Sequence, residues 1–362
     1  MRRTAQTLGV PGQAETSHSV ARGFPERLSG RVFPQLRRTG PLSLLMLMLW
    51  MSGGCDLLRS EKEEFIIPIK PVFDFTIDMY PAWGPDSRTI AYTHRPQTPE
   101  EAAFGRGDQI WLLDIETGRR CFLTLGWKPA WSPDGRRIAF IYGAYEAANL
   151  YVVEVLSGEV TELTTEGASF NPSWSPDGKR ILYDRGGYYY EIWVMNADGS
   201  NKRKITRGQT PSWSPDGSSI AYVTFFEDTS RGHVDELVIM DTSGQHVRRL
   251  TFDIRQEDYP SWSPDGMWII YRSIAEGVDP TNGLWMIHTI SKRRRFLVQG
   301  AHASWSPDGR QIVYDGPYGE NSGTIWIMNA DGSNRHPLTR PEDYQPGRPV
   351  AYCPEVLPWH DN

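Results

Sequence analysis

Eight histidines are the residues of this chain most able to bind a metal or move a proton, and they are widely scattered. They stand at positions 18, 94, 233, 246, 288, 302, 336 and 360, and no two form an HxH or HExxH pair. Zinc sites of the protease type place two histidines on one helix face at such a spacing. A metal site is therefore an alternative that requires His94, His288 and His302 to converge in the folded chain.

Other short motifs give little sign of catalysis. The chain has no Gly-x-Ser-x-Gly elbow, the turn on which many hydrolases expose a serine nucleophile. The turn Asn196-Ala-Asp198-Gly199 is similar to part of a calcium loop but lacks the remaining oxygen ligands at the required spacing. We predict that it is a hairpin turn. We therefore expect no cofactor, no catalytic residues and no enzymatic activity.

The motif that organises the chain is a repeated turn, Trp-Ser-Pro-Asp-Gly, followed by Ile-x-Tyr. An aspartate follows each repeat tryptophan by three positions, an isoleucine by seven and an aromatic residue by nine. The six repeat tryptophans are Trp83, Trp131, Trp174, Trp213, Trp262 and Trp305. Spacings near 43 residues are typical of propeller blades. We predict that these tryptophans belong to the packed core and do not form a binding cage.

Each repeat contains the signals of four strands. Pro-Asp-Gly favours a tight turn, and Ile-x-Tyr after it alternates as a half-buried strand does. A second apolar run, another turn and a short strand ending in Leu-Thr or a variant of it complete most copies. The sequence thus predicts an all-β fold, a six-bladed propeller of four-stranded antiparallel blades over residues 79–340. The alternative has seven blades, the last of them built from both termini.

One position recurs at the same place in every repeat but holds a chemically different residue in most of them. The residue before each repeat tryptophan is small, Ala or Ser, as strands that converge on an axis require. Three positions before each tryptophan the side chains vary widely: Tyr80, Lys128, Asn171, Thr210, Tyr259 and His302. We predict that these six, called the mouth ring below, contact a ligand or partner at one mouth of the channel. Variation in packing is the alternative. Trp127, Phe170 and Asp258 nearby predict a mouth that is aromatic and mixed in charge.

The charge of the chain argues against one class of partner, and its cysteines suggest a disulfide. The formal net charge is −6, and the densest basic stretch, Lys292–Arg295, falls on a predicted outer strand, so we expect no nucleic-acid binding. Beyond Cys55 only Cys121 and Cys353 remain. They fall in the first blade and after the last one, which ring closure would bring together. We hypothesise a disulfide between them in an oxidising compartment.

The region before the repeats has the features of an export signal. Basic residues precede an apolar run over 42–51, which is too short to span a bilayer but suits a signal peptide. Ser-Gly-Gly and Cys55 follow, so residues 1–54 are interpreted as a leader and Cys55 as a lipidation site. An ordinary cleaved signal peptide is the alternative. Residues 55–78 would be a tether and 341–362 a C-terminal tail.

The Trp-x-Pro-Asp copies and two Met-Asn-Ala-Asp-Gly-Ser-Asn turns resemble the repeat of TolB-type propellers. Proteins of that type also carry an N-terminal α/β domain that contacts an inner-membrane partner, and we expect no such domain in the short stretch after Cys55. The resemblance implies a binding module in the periplasm or cell envelope. We expect a non-catalytic monomer that binds an envelope protein and meets the membrane only through its lipid anchor. The alternatives are a metal-dependent carbohydrate lyase or hydrolase, and a propeller that binds a glycan or small ligand.

Overall fold

Six antiparallel four-stranded sheets follow one another along the chain. A computed structural model describes residues 77–96, 107–187, 189–228, 232–316, 323–340 and 351–353. Most of the predicted tether and tail, and all of the leader with Cys55, lie outside these residues. Within them, no helix has the length and apolarity needed to cross a bilayer.

Each sheet is one blade whose four strands are consecutive in sequence. Blades one to three contain β1 (Ile77–Trp83), β2 (Thr89–Arg95), β3 (Gln109–Asp114), β4 (Arg120–Leu125), β5 (Trp127–Trp131), β6 (Arg137–Tyr142), β7 (Asn149–Glu154), β8 (Val160–Glu162), β9 (Ser169–Trp174), β10 (Arg180–Arg185), β11 (Glu191–Asn196) and β12 (Arg203–Arg207). Blades four to six contain β13 (Gln209–Trp213), β14 (Ser219–Asp228), β15 (Gly232–Asp241), β16 (Arg248–Arg249), β17 (Gln256–Trp262), β18 (Trp268–Ile274), β19 (Gly283–His288), β20 (Arg294–Val298), β21 (Ala303–Trp305), β22 (Gln311–Asp315), β23 (Ile325–Asn329) and β24 (His336–Pro337). The predicted all-β, six-bladed propeller is confirmed.

The seven-blade alternative is wrong for the residues that the structure describes. A further short strand, β25 (Ala351–Tyr352), pairs in parallel with β4 and so becomes a fifth strand of the first blade. The tail therefore extends an existing blade and does not begin a new one. The N-terminal segment of that alternative lies outside the described residues up to Ile77.

The repeated turn is held by its own side chains. In the third blade, the Ser175 hydroxyl donates to Asp177 at 2.6 Å and accepts the backbone N–H of Arg180 at 2.9 Å. Gly178 takes a φ of 68°, a conformation that costs glycine nothing. The Trp-Ser-Pro-Asp-Gly sequence thus forms a tight turn that its own local hydrogen bonds stabilise.

The core lies between blades, because the alternating isoleucine and aromatic residues face the neighbouring sheets. Leu182 and Ile192 of the third blade pack with Trp213, Ile220 and Tyr222 of the fourth. Indole N–H groups tie blades together at two further places, since Trp174 and Trp262 donate to backbone carbonyls of the preceding blade. Burial of both faces of each sheet is therefore what holds the wheel together.

The ring closes between the sixth and first blades. The backbone N–H of Asp78 donates to the Gly323 carbonyl at 2.7 Å, and the Arg120 guanidinium donates to the Leu338 carbonyl at 2.9 Å. The structure also joins Cys121 on β4 to Cys353 by a disulfide, with Cα atoms 5.0 Å apart. That bond fastens the chain after the last blade to the outer strand of the first.

We expect Cys121 and Cys353 to resist alkylation in folded, unreduced protein. Replacing Cys353 with serine should lower the free energy of unfolding by roughly 5 kcal/mol, because the bond constrains a loop of 232 residues in the unfolded chain. Urea denaturation under oxidising conditions measures this loss. The double variant, in which Cys121 is also serine, should be no less stable than either single variant. Two thiols that react readily in unreduced protein would contradict the bond.

The first repeat departs from the others at its turn, where Ser87 replaces glycine at a φ of 55°. Replacing Ser87 with glycine should raise the free energy of unfolding by about 0.5–1 kcal/mol. Relief of left-handed strain exceeds the entropy that glycine loses on folding. The matched reverse change, Gly217→Ser, should lower it by about 1 kcal/mol, since Gly217 has a φ of 71° and room for a Cβ. Thermal denaturation of both variants checks the pair, and shifts of the same sign would contradict the argument.

Candidate functional site at the channel mouth

The structure brings the six residues of the mouth ring together around one cavity of about 300 Å³. Five of them lie within the first strand of their blade, and His302 directly precedes β21. The repeat residues that follow them, including Trp83, Trp131 and Trp174, also line the cavity wall. The same tryptophans belong to, or pack against, the apolar clusters between blades. Ligand binding by the mouth ring stays a prediction.

A strained backbone turns the mouth ring toward the axis. Tyr80, Lys128, Asn171, Thr210 and Tyr259 all have φ between 50° and 56°, and strand register shifts at this point in each of the five blades. Left-handed φ costs a residue with a Cβ about 1–2 kcal/mol. Proline follows each of the five and disfavours a helical conformation before it. His302 precedes Ala303 and does not share the strained φ.

Three side chains that the sequence analysis did not single out hold these bulges in place. Thr93 accepts the backbone N–H of Lys128 at 2.9 Å, and Asp184 accepts that of Thr210 at 2.7 Å. Asp315 accepts that of Tyr80 at 3.4 Å. Each acceptor belongs to the preceding blade and directly follows the aromatic residue of Ile-x-Tyr. That position holds Thr93, Ile141, Asp184, Val223, Arg272 and Asp315 in successive repeats, so a polar residue at a strand position was the signal available in the sequence.

Lys128 reaches across the middle of the mouth. Its ammonium nitrogen donates to the Asn171 Oδ1 atom and lies 3.9 Å from the Tyr259 ring centroid and 5.0 Å from that of Tyr80. Asn171 in turn donates to Asp184 at 2.6 Å. One cation therefore links blades one, two, three and five through hydrogen-bond and cation–π contacts.

Burial shifts the proton equilibria of this cluster. Protein surrounds Lys128, and loss of hydration lowers the pKa of its ammonium to about 7, although the carboxylates of Asp184 and Asp258 oppose the shift. Burial raises the pKa of Asp184 and lowers the pKa of His302. The His302 Nδ1 atom contacts Asp315 at 2.6 Å. Neutral forms are thus favoured where the mouth is most enclosed.

Three buried polar atoms within the mouth ring or in direct contact with it have no hydrogen-bond partner among the described residues. They are Asp184 Oδ1, Thr210 Oγ1 and His302 Nε2. Buried polar groups in native proteins are almost always hydrogen-bonded, to protein or to ordered water. The mouth therefore has unused hydrogen-bonding capacity from three blades.

Aromatic rings continue from the mouth to the outer surface of blades two and three. Tyr259 and Tyr80 flank His302 with ring centroids 4.2 and 3.9 Å from it. The line then passes from Tyr80 to Trp127 at 6.0 Å, to Phe170 at a further 6.1 Å and to Tyr145 at a further 4.8 Å. We call this line the aromatic row. Its outer end, Tyr145, is 60% exposed and contacts Tyr190 through the two hydroxyls.

The mouth is also mixed in charge, because Arg272 pairs with Asp258 through two hydrogen bonds. The bond from the Arg272 Nε atom measures 2.7 Å.

The histidines of the metal-dependent alternative do not form a common site. His94 is buried against Asp78 at 2.8 Å, and His288 packs on Trp268 at the far end of its strand. Across the described residues, no three His, Cys, Asp or Glu side chains form a group that could hold a metal.

Comparison with known families decides the relationship that the repeat suggests. The sequence model of the TolB beta propeller domain, PD40, matches residues 74–206 and 190–347, well over half of the 362-residue chain. The chain belongs to the TolB beta propeller domain family. A direct comparison of its sequence with curated proteins gives no match.

Solved structures agree on the fold of this TolB-family propeller. TolB from Acinetobacter baumannii is similar with a TM-score of 0.59 and 24% identity, over 70% of this chain and 63% of that one. The similarity therefore spans less than two thirds of that TolB. An oligogalacturonate lyase solved in complex with manganese gives a TM-score of 0.51 and 16% identity, over 73% of this chain and 78% of the lyase. At these identities the likeness shows the fold alone.

The shifted pKa of Lys128 predicts how the stability of the TolB-family propeller depends on pH. An unfolded lysine keeps its ordinary pKa of 10.5, so between pH 7 and 10.5 the unfolded chain binds a proton that the folded chain has released. This group therefore makes stability rise with pH across that window. Lys128→Met should therefore lower the slope of stability against pH, measured as urea midpoints at several pH values, whereas the exposed control Lys179→Met should leave the slope unchanged. Glu257, whose pKa burial raises to about 9, contributes with the opposite sign in both variants. Equal slopes in both variants would contradict the lowered pKa.

Proposed function

We propose that this TolB-family propeller is a non-catalytic protein-interaction module of the bacterial cell envelope. The observation that carries the proposal is the aromatic row, which joins the polar centre of the mouth to an exposed tyrosine surface. Tyr142, three positions before Tyr145, and Tyr189, next to Tyr190, are also 48% and 42% exposed. Tyrosine and tryptophan are the residues in which protein interfaces concentrate their binding energy.

The centre of the mouth adds polar groups to this aromatic surface. The three unpartnered atoms and the Lys128 nitrogen offer hydrogen bonds to a segment of the partner that enters the channel. Aromatic contacts then extend along the row toward blade three. Because strands and inter-blade packing fix these residues, the partner would meet a preformed surface with little rearrangement.

The envelope location rests on the sequence and on the cysteines. The export-like leader and the lipidation motif at Cys55 support secretion, and a disulfide between Cys121 and Cys353 is compatible with an oxidising compartment. We propose that the propeller acts as a monomer anchored by lipid at Cys55.

A photo-crosslinking amino acid placed at Tyr145 tests the proposal in intact cells. We expect one discrete adduct with an envelope protein, and we expect Lys128→Met to reduce its yield several-fold because the central contact is lost. The same crosslinker at Lys179, on the Pro-Asp-Gly turns at the opposite end of the strands, is the matched control and should give no such adduct.

Other outcomes would favour the alternative functions. Equal adducts from Tyr145 and Lys179 would show non-specific contact and contradict the proposal. Absence of an adduct, together with turnover of an envelope polysaccharide by the purified full chain, would favour a carbohydrate-active enzyme. Saturable glycan binding without turnover, lost in Lys128→Met, would favour a glycan-binding propeller.

A further inference from the structure

A second surface, far from the channel, combines exposed apolar and basic side chains. It lies on and around the outer strand β16 of blade four and on the turn between β19 and β20 of blade five. It consists of Val247, Arg248, Phe252, Ile254, Ile290, Lys292 and Arg293, which we call the rim patch. Ile290 is 82% exposed, Ile254 64% and Phe252 56%. Nothing in the proposed function uses these residues.

Direct contacts make the rim patch one continuous surface across the two blades. The Phe252 ring lies between two cations, 4.7 Å from the Arg249 guanidinium and 4.5 Å from the Lys292 ammonium. Arg248 of blade four donates to the carbonyl of Thr289, next to Ile290 in blade five. Apolar and basic groups are therefore interleaved, not segregated.

The charge of the rim patch is opposite to that of the chain as a whole. Nearby acids are already occupied, since Glu236 pairs with Arg249 and Asp253 with Arg294. Arg248, Lys292 and Arg293 have no carboxylate within ion-pair distance in the described part of the chain. On a chain with a net charge of −6, three uncompensated cations in one place form a local positive field.

We propose that the rim patch rests on an anionic phospholipid surface. Phosphate groups of a lipid headgroup layer would neutralise the three cations, while Phe252, Ile254 and Ile290 would enter the boundary between headgroups and acyl chains. A nucleic acid would satisfy the cations but leave the protruding aliphatic side chains in water. A fluid lipid surface also fits the convex edge of a propeller without a shaped partner. This contact is separate from any lipid anchor and does not depend on the proposed protein partner.

Vesicle co-sedimentation tests the proposal. The full chain with Cys55→Ser cannot be lipidated. It is mixed with vesicles of phosphatidylcholine alone, or with vesicles in which about 30% of the lipid is anionic phosphatidylglycerol. We expect binding to require the anionic lipid and to weaken as salt is added. Lys292→Gln with Arg293→Gln should weaken it about 25-fold, at about fivefold for each cation. Ile290→Ser should weaken it about tenfold through lost apolar burial.

Matched controls keep the result specific to this surface. Arg136→Gln with Lys179→Gln removes the same charge from exposed turns of blades two and three, and Val278→Ser removes an exposed aliphatic side chain elsewhere in blade five. Neither should change binding. Equal binding to neutral vesicles, or equal losses in patch and control variants, would overturn the proposal. So would binding to a DNA oligonucleotide that is as tight as vesicle binding and insensitive to Ile290→Ser, or self-association of the chain that Ile290→Ser abolishes.

Discussion

Packing of each sheet between its two neighbours is the constraint on which the rest of this structure depends. Ile181, Ile220 and Ile312 are fully buried because each packs against the preceding blade. Burying such a side chain contributes about 1.5–3 kcal/mol, and every blade repeats the gain. A blade at an open end would leave one such face in water. The first and last blades must therefore meet, which explains why backbone, guanidinium and disulfide contacts all concentrate at that junction.

Closure in turn determines what happens near the axis. Six first strands converge there, and five of them bulge so that a side chain points across the channel. The left-handed backbone at each bulge is unfavourable in isolation. At three of the five bulges, the backbone N–H donates a hydrogen bond to Thr93, Asp184 or Asp315 of the preceding blade, which offsets this cost. The strained positions and the packing that supports them thus form one unit, and strain of this kind concentrates at functional sites.

The sequence predicts the repeating part of the molecule well because each repeat states the same pattern again. Trp174, Asp177 and Ile181 have the same roles as their counterparts in the other blades, so six copies confirm one interpretation. The mouth ring was also predictable, since irregular residues at a regular position stand out. By contrast, Asp184 was not recognised, because its repeat position also holds residues as different as Ile141 and Arg272 and so shows no regular pattern. The parallel strand β25 was missed for a similar reason: a two-residue pairing has no periodic pattern.

Tyr145 and Tyr190 show a different limit of sequence reasoning. They lie 45 positions apart in loops of two blades, and the packing of blade three against blade two places their hydroxyls in contact. A surface of this kind depends on loop geometry, which no strand pattern encodes. The same wheel also occurs in a TolB and in an oligogalacturonate lyase, so the fold cannot distinguish a scaffold from an enzyme. A function must therefore be argued from the side chains that the wheel holds at its mouth. A half-buried lysine among tyrosines, a carboxyl whose pKa burial raises and an imidazole with one unpartnered nitrogen form a surface suited to recognition.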